Sequence, residues 1–187
     1  SARDGVSVQD AAGNVVMVPP GAMREGAKVA IHGKSIDDVG MPLPAPDVLD
    51  AIGAFELDLS GQKAELPLQL AIKPAAVMAS GTQVMFWRKG FVTDEKGVNH
   101  ETWWLVDNGF VDAEGVARTA SPPYEGVTGG GGVFLVTKTK VTNNETGELE
   151  VSGHRVNFNV LWAQMAYVAM APSPMMGVAA VGVFASL

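Results

Sequence analysis

The stretch from Val15 to Ile31 constrains the fold of this chain most. Four apolar residues, Val15 to Val18, run into Pro19-Pro20-Gly21, and an alternating segment, Lys28 to Ile31, follows after Glu25-Gly26. Pro before Gly suits the centre of a type II turn, because Pro fixes φ and Gly accepts a positive φ. The stretch therefore predicts strand, tight turn and strand, which is typical of β-sandwich modules and points to no reaction.

Length and composition predict a folded chain with one good core. The 187 residues are 47% apolar and 7% aromatic, which is too apolar for a disordered chain. A net charge of −7 without a Lys/Arg cluster argues against nucleic-acid binding. The absence of cysteine excludes disulfides, thiolate catalysis and Cys-based zinc sites, and leans toward a bacterial source.

The apolar pattern predicts an all-β chain. Helical periodicity is nearly absent, and short alternating or β-branched segments lie between Gly, Pro, Asn and Asp. Alternate prolines in Met41–Pro46 predict a loop, and Asp47–Ile52 predicts one helical turn. Many short strands favour an antiparallel sandwich. The predicted strands are Val6–Val8, Val15–Val18, Lys28–His32, Phe55–Leu59, Leu68–Lys73, Val84–Trp87, Thr102–Val106, Val133–Thr139 and Leu149–Val151.

The end of the chain carries no charge after Arg155. Two apolar runs, Val156–Ala171 and Met175–Leu187, are separated by Pro-Ser-Pro. Interior prolines and amides, and the lack of further basic flanking residues, make insertion of this tail into a membrane an unfavourable interpretation. We expect two buried strands instead. The predicted organisation is a β-sandwich over 1–140 and an apolar C-terminal extension over 141–187, packed on the sandwich or on a partner.

Two segments resemble ZU5-like domains, which are β-sandwich modules of ankyrins, netrin receptors and many bacterial surface proteins. Val16–Ile31 is similar to the strand, Pro-x-Gly-Ala and strand that open the family, and Phe55–Ile72 to its strand, Gly turn, Pro and alternating strand. The resemblance covers about Val6 to Thr139. It implies a ZU5-like sandwich in an extracellular or cell-surface bacterial protein. Where some relatives cleave themselves at His-Phe-Ser, this chain has Gly129–Leu135 with no His or Ser, which argues against self-cleavage.

Tryptophans provide one candidate binding site. Trp103 and Trp104 are neighbours in a predicted strand, so their side chains face opposite sides of the sheet. Phe86 and Trp87 are likewise neighbours, on a plausible partner strand, so one of these two rings also faces away from the core. Exposed Trp87, Trp103 or Trp104 could stack a sugar ring or anchor a protein. The alternative is burial of these rings under the apolar tail.

Acidic residues provide a second candidate. Asp107, Asp112 and Glu114 lie in the densest acidic loop, and calcium takes such hard oxygen ligands. The spacing does not match an EF-hand loop, and the same residues also suit ordinary hairpin turns. Calcium is therefore the one cofactor considered. Gly33-Lys34-Ser35 lacks the earlier glycine of a phosphate loop, and His32, His100 and His154 lie far apart.

The leading hypothesis is a non-catalytic structural or interaction module of a bacterial secreted or cell-surface protein, serving in spacing, docking or adhesion. Its partners would be other domains or proteins of a surface assembly. A carbohydrate-binding module that uses exposed Trp residues, with or without calcium, is the alternative. An enzyme would need one of the three histidines to meet an acid.

Overall fold

The computed structural model describes residues 5–121, 124–140, 148–151 and 154–157. The described residues form twelve β-strands, one 3-10 helix at Ile36–Asp38, and no α-helix. The strands are β1 Val6–Gln9, β2 Val15–Val18, β3 Ala30–Lys34, β4 Leu49–Asp58, β5 Lys63–Ile72, β6 Gln83–Thr93, β7 Asn99–Val111, β8 Ala117–Thr119, β9 Val127–Gly130, β10 Gly132–Thr139, β11 Glu148–Val151 and β12 His154–Asn157.

Ten of these strands form a single antiparallel sheet that is nearly barrel-shaped. Its order is β1-β2-β5-β8-β7-β6-β10-β4-β3, with β9 paired to β5. The two strands that end this path, β1 and β3, lie beside each other. β11 and β12 form a separate two-stranded sheet. The all-β, antiparallel prediction is confirmed.

Apolar side chains from both halves of the sheet fill its interior. Alternation along each strand sends every second side chain inward, and the rings of Phe55 and Phe134 stack there with centroids 5.0 Å apart. The largest completely buried side chains of this core are Phe55, Phe86, Phe134, Leu57, Leu59, Leu68, Leu70, Ile72 and Val16.

A second apolar cluster lies on the outer face of β4, β6, β7 and β10. It contains Met85, Trp87, Trp103 and Leu135, and residues of the proline-rich loop, such as Leu43, pack against it. This loop, residues 39–48, is called the cover loop below. It hides a face of the sheet that would otherwise expose large apolar side chains to water.

The turn at Pro19–Ala22 has the predicted geometry. Gly21 has φ +77°, and the Ala22 N–H donates to the Pro19 carbonyl at 3.1 Å. The strands on either side are present, but they do not pair with each other. β2 pairs with β1 and β5, whereas β3 pairs with β4. The chain therefore crosses from one part of the sheet to another through residues 19–29.

One prediction about local structure is wrong, and two strands were missed. The expected helical turn at Asp47–Ile52 is a hydrogen-bonded turn in which Val48 N–H donates to the Ala45 carbonyl, and β4 begins at Leu49. β8 and β9 were not predicted as strands. Predicted strands such as Thr102–Val106 are much longer in the structure, because sheet neighbours continue the pairing through polar residues.

The expected pair of strands in the apolar tail lies almost entirely outside the described residues, which stop at Asn157. Within the described part of the chain, no helix has the length and hydrophobicity needed to cross a membrane.

Candidate functional site: the β6–β7 arm

The long hairpin of β6 and β7 extends past its neighbours in the sheet. β10 pairs only with Met85–Arg88 of β6, and β8 pairs only with Gly109–Val111 of β7. Lys89–Thr93 and Asn99–Trp103 pair only with each other among the described residues. These two segments and the turn that joins them are called the arm.

Polar contacts fix the two strands of the arm. The Lys89 ammonium lies 2.9 Å from the Glu101 carboxylate, and the Thr93 hydroxyl donates to the Asn99 side-chain oxygen at 2.7 Å. An isolated two-stranded hairpin is marginally stable in water, so the arm depends on these contacts and on its base for its shape.

The tip of the arm is organised around Asp94. One carboxylate oxygen accepts the backbone N–H groups of Lys96 and Val98, both at 2.9 Å, and the other lies 2.8 Å from His100 Nε2. The hydrogen bond from His100 is the largest cause that lowers the pKa of Asp94. Asp94 therefore stays ionised and holds the turn closed.

Among the strands that the structure describes, none pairs with the outer edge of β6 in the arm. Asp94 N–H donates to the Val98 carbonyl, across the hairpin. Hydrogen-bonded and non-hydrogen-bonded pairs alternate along an antiparallel ladder, so the N–H groups of Thr93 and Phe91 point away from β7. Since β10 ends its pairing at Arg88, this edge of the arm is available to another strand as far as the described residues go.

The arm also exposes apolar side chains. Phe91 is 61% exposed and Val98 is 51% exposed. Alternation places Phe91 on the same face as Trp87 and Lys89, which is the face that the cover loop protects nearer the base. The arm therefore combines a free strand edge with an unprotected aromatic ring.

The structure places the predicted tryptophans in different surroundings. Trp87 is 7% exposed and Trp103 is 4% exposed. The Trp87 indole donates to the Thr137 hydroxyl at 2.9 Å, and the Trp103 indole donates to the Pro42 carbonyl at 2.8 Å. Both rings belong to the cluster beneath the cover loop. Sugar stacking requires exposed rings, so this arrangement does not fit a binding role for Trp87 or Trp103.

Trp104 lies on the opposite face of β7 and is only half-buried. A Cβ atom built on Gly90 would lie 2.8 Å from the indole Cδ1 of Trp104. Glycine at this position thus lets the indole lie close against the neighbouring strand. The prediction that Trp103 and Trp104 face opposite sides agrees with this placement. The cover loop packs over Trp87 and Trp103, as we had expected the apolar tail to do.

The predicted acidic residues are engaged by the protein itself. The Asp112 carboxylate accepts the backbone N–H groups of Glu114 and Val116 and pairs with Arg118. Those hydrogen bonds, led by that of Val116, lower the pKa of Asp112. Among the residues that the structure describes, no three His, Asp or Glu side chains form a group that could hold a metal ion. Calcium binding by Asp107, Asp112 and Glu114 stays a prediction.

Among the residues whose burial the structure describes, Asp107 is the one buried carboxylate, with 1% exposure. Residue pairing shifts between Phe86 and Trp87, which places a β-bulge beside Asp107. Its oxygens accept the Ser121 hydroxyl at 2.7 Å and the Asn108 N–H at 2.8 Å. Burial raises the pKa of Asp107 to about 6, against the effect of those bonds. Burial and the nearby Asp107 charge also raise the pKa of Tyr124 to about 12.

No family model matches this chain, and no curated protein or solved structure is significantly similar to it. The site is therefore defined by its geometry alone. Sequence reasoning missed Phe91 and the open edge, although the turn residues Asp94-Glu95-Lys96-Gly97 do signal a hairpin between two strand-like segments.

Proposed function

We propose that the protein is a non-catalytic interaction module of a bacterial secreted or cell-surface protein, and that the arm is its docking element. The observation that carries this proposal is the open edge of β6 beside the exposed ring of Phe91. A free strand edge binds an extended peptide through main-chain hydrogen bonds, and side-chain pockets next to the edge give specificity. Native proteins usually shorten, charge or cover such edges, because an open edge pairs readily with another chain.

The buried polar groups support a structural role for the remainder of the domain. Asn14, Asp107 and Thr137 are almost completely buried, and each makes a hydrogen bond that joins one part of the sheet to another. A classification as a ZU5-like β-sandwich is part of the proposal. The antiparallel sheet and the Pro19–Ala22 turn support it.

Selection of extended peptides from a displayed library tests the proposal. Phe91→Pro removes the outward N–H of the edge and leaves the pairing with β7 intact, because that N–H does not point across the hairpin. Phe91→Thr keeps the N–H and removes the ring. We expect selected peptides to lose binding to Phe91→Pro and to bind Phe91→Thr more weakly than wild type. Peptides that bind all three proteins equally would refute docking at the arm.

A further inference from the structure

The free edge of β6 in the arm lies in line with β10. β10 occupies this edge only as far as Arg88, which pairs with Phe134, and β10 itself begins at Gly132. All strand pairs among the described residues are antiparallel. An added strand that is also antiparallel to β6 runs in the same direction as β10, so its C-terminal end stops where β10 begins.

The guanidinium of Arg88 lies close to the start of β10. Its Nη1 donates to the carbonyl oxygens of Thr128 and Gly130, at 3.2 and 3.4 Å, and Gly130 ends β9 just before β10 begins. A Cβ atom built on Gly129 would lie 3.0 Å from Nη1. The glycine-rich segment that leads into β10 therefore holds one side of the guanidinium.

Arg88 has no carboxylate partner among the described residues. The ion pairs in that part of the chain join other side chains. Its Nε and Nη2 form no hydrogen bond there either, since both bonds of Arg88 come from Nη1. These nitrogens can donate two parallel hydrogen bonds to one planar carboxylate.

The burial of Arg88 makes the missing counter-charge significant. The side chain is half-buried, and this burial lowers the pKa of Arg88, although arginine stays charged in proteins. Its cross-strand neighbours on β10 and β7 are the aromatic residues Phe134 and Trp104. Partial removal of a cation from water is unfavourable without a paired anion, and it strengthens the attraction to an anion that does bind.

We propose that the arm binds the free C-terminus of a partner protein, with the terminal carboxylate held by Arg88. This inference rests on the docking of an extended peptide at the arm. The charge of Arg88 selects the carboxylate end of the peptide, because a terminal ammonium would be repelled. The start of β10 favours a chain end over an internal segment, because a longer strand would run into the part of the edge that β10 occupies.

Selection of random decapeptides on the immobilised full chain tests this inference. One library is fused to its carrier through the peptide N-terminus, which leaves the C-terminus free, and the other is fused through the C-terminus. Selected sequences are then synthesised as the free acid and as the C-terminal amide, and both are titrated. We expect the peptides that lose binding to Phe91→Pro to come from the free-terminus library. Amidation should weaken them roughly tenfold or more, since it removes a charge-assisted hydrogen bond.

Variants assign this preference to Arg88. Arg88→Gln should bind the free acid as weakly as wild type binds the amide, and amidation should then have no further effect. Arg88→Lys keeps the charge without the fork of donors and should retain only part of the preference. Lys96→Gln removes a positive charge from the exposed tip of the arm and should keep the full preference. Circular dichroism shows whether each variant is folded, and the comparison of acid with amide on wild type needs no variant.

The outcomes separate this inference from docking itself. Peptides that need the Phe91 edge but bind equally as acid and amide would overturn the inference and leave docking at the arm intact. The same holds if the preference survives in Arg88→Gln, or if an internal Asp or Glu in an amidated peptide replaces the terminal carboxylate. If no selected peptide loses binding to Phe91→Pro, docking at the arm is refuted, and the inference with it.

Discussion

The indole N–H of Trp103 donates to the carbonyl oxygen of Pro42 at 2.8 Å, joining β7 to the cover loop. A proline-rich loop has few N–H groups of its own to form secondary structure. Its position over the sheet therefore depends on apolar contacts and on bonds from the sheet side. Together with the apolar contacts of the cluster, this bond helps to hold the loop over Trp87, whereas Phe91, further along the same face, is exposed.

Trp103→Phe tests the role of this bond. Phenylalanine keeps most of the apolar contact but leaves the Pro42 carbonyl without its donor, so we expect a loss of about 1–2 kcal/mol in the free energy of unfolding. Trp103→Ala should cost about 3–5 kcal/mol, because it also empties the cluster. Urea unfolding measures both values. Equal stability of wild type and Trp103→Phe would contradict a structural role for the bond.

The glycine run before β10 gives a matched pair of variants. A Cβ built on Gly131 would lie 2.2 Å from the Leu57 carbonyl oxygen, whereas a Cβ on Gly130 would meet nothing within 4 Å. Backbone cannot move aside cheaply, so Gly131→Ala should destabilise the protein by about 2 kcal/mol or more. Gly130→Ala should change stability by less than about 0.5 kcal/mol. Thermal unfolding of the two variants distinguishes these effects, and similar melting temperatures would refute the close approach.

Asp10 should contribute stability that depends on pH. Partial burial raises the pKa of Asp10, but hydrogen bonds from Asn14, Gly33 and Ala12 outweigh it and hold that pKa below the ordinary value of 3.8 in the folded protein. The contribution of Asp10 to stability is therefore complete above about pH 4 and is lost as pH falls through the folded pKa. Asp10→Asn removes acceptors from bound N–H groups and should cost about 2 kcal/mol at pH 7. Denaturant unfolding from pH 2 to 7 should show a smaller difference between wild type and variant at the acidic end. A constant difference would contradict the assignment.

The effect of Asp107 on stability should have the opposite pH dependence to that of Asp10. The pKa of Asp107 is about 6 in the folded protein and ordinary, near 3.8, in the unfolded chain, so the folded state binds the proton more tightly. Stability should rise by roughly 2 kcal/mol as pH falls from about 7 to about 4. Asp107→Asn should remove this rise and should be more stable than wild type at pH 8. Chemical denaturation across this pH range measures the free energy of unfolding of both proteins. An equal rise in the variant would assign the pH dependence to another group.

Local signals in the sequence predicted much of the framework. Val15–Val18 is a strand with the predicted bounds, and the Pro20-Gly21 pair forms the expected turn, because both depend on backbone preferences of neighbouring residues. Pairing between strands depends on distant residues. The sequence therefore predicted β2 and β3 but not their separate partners, β5 and β4.

Dependence on distant residues also limited the prediction of the candidate sites. Alternation indicated that Trp103 and Trp104 lie on opposite faces, but only the position of the cover loop decides which ring is buried. Asp10 was missed because its importance comes from Gly33, 23 residues away. The Asp10-Ala11-Ala12-Gly13-Asn14 turn does carry a local signal, since an Asp side chain often bonds the N–H two residues on.

Amide hydrogen exchange with a selected peptide bound is the most direct test of docking at the arm. We expect the Phe91 and Thr93 amides, which face the open edge, to exchange rapidly in the free protein and to become protected in the complex. Protection confined to amides outside the arm, with rapid exchange at Phe91 and Thr93 in both states, would contradict docking at the arm.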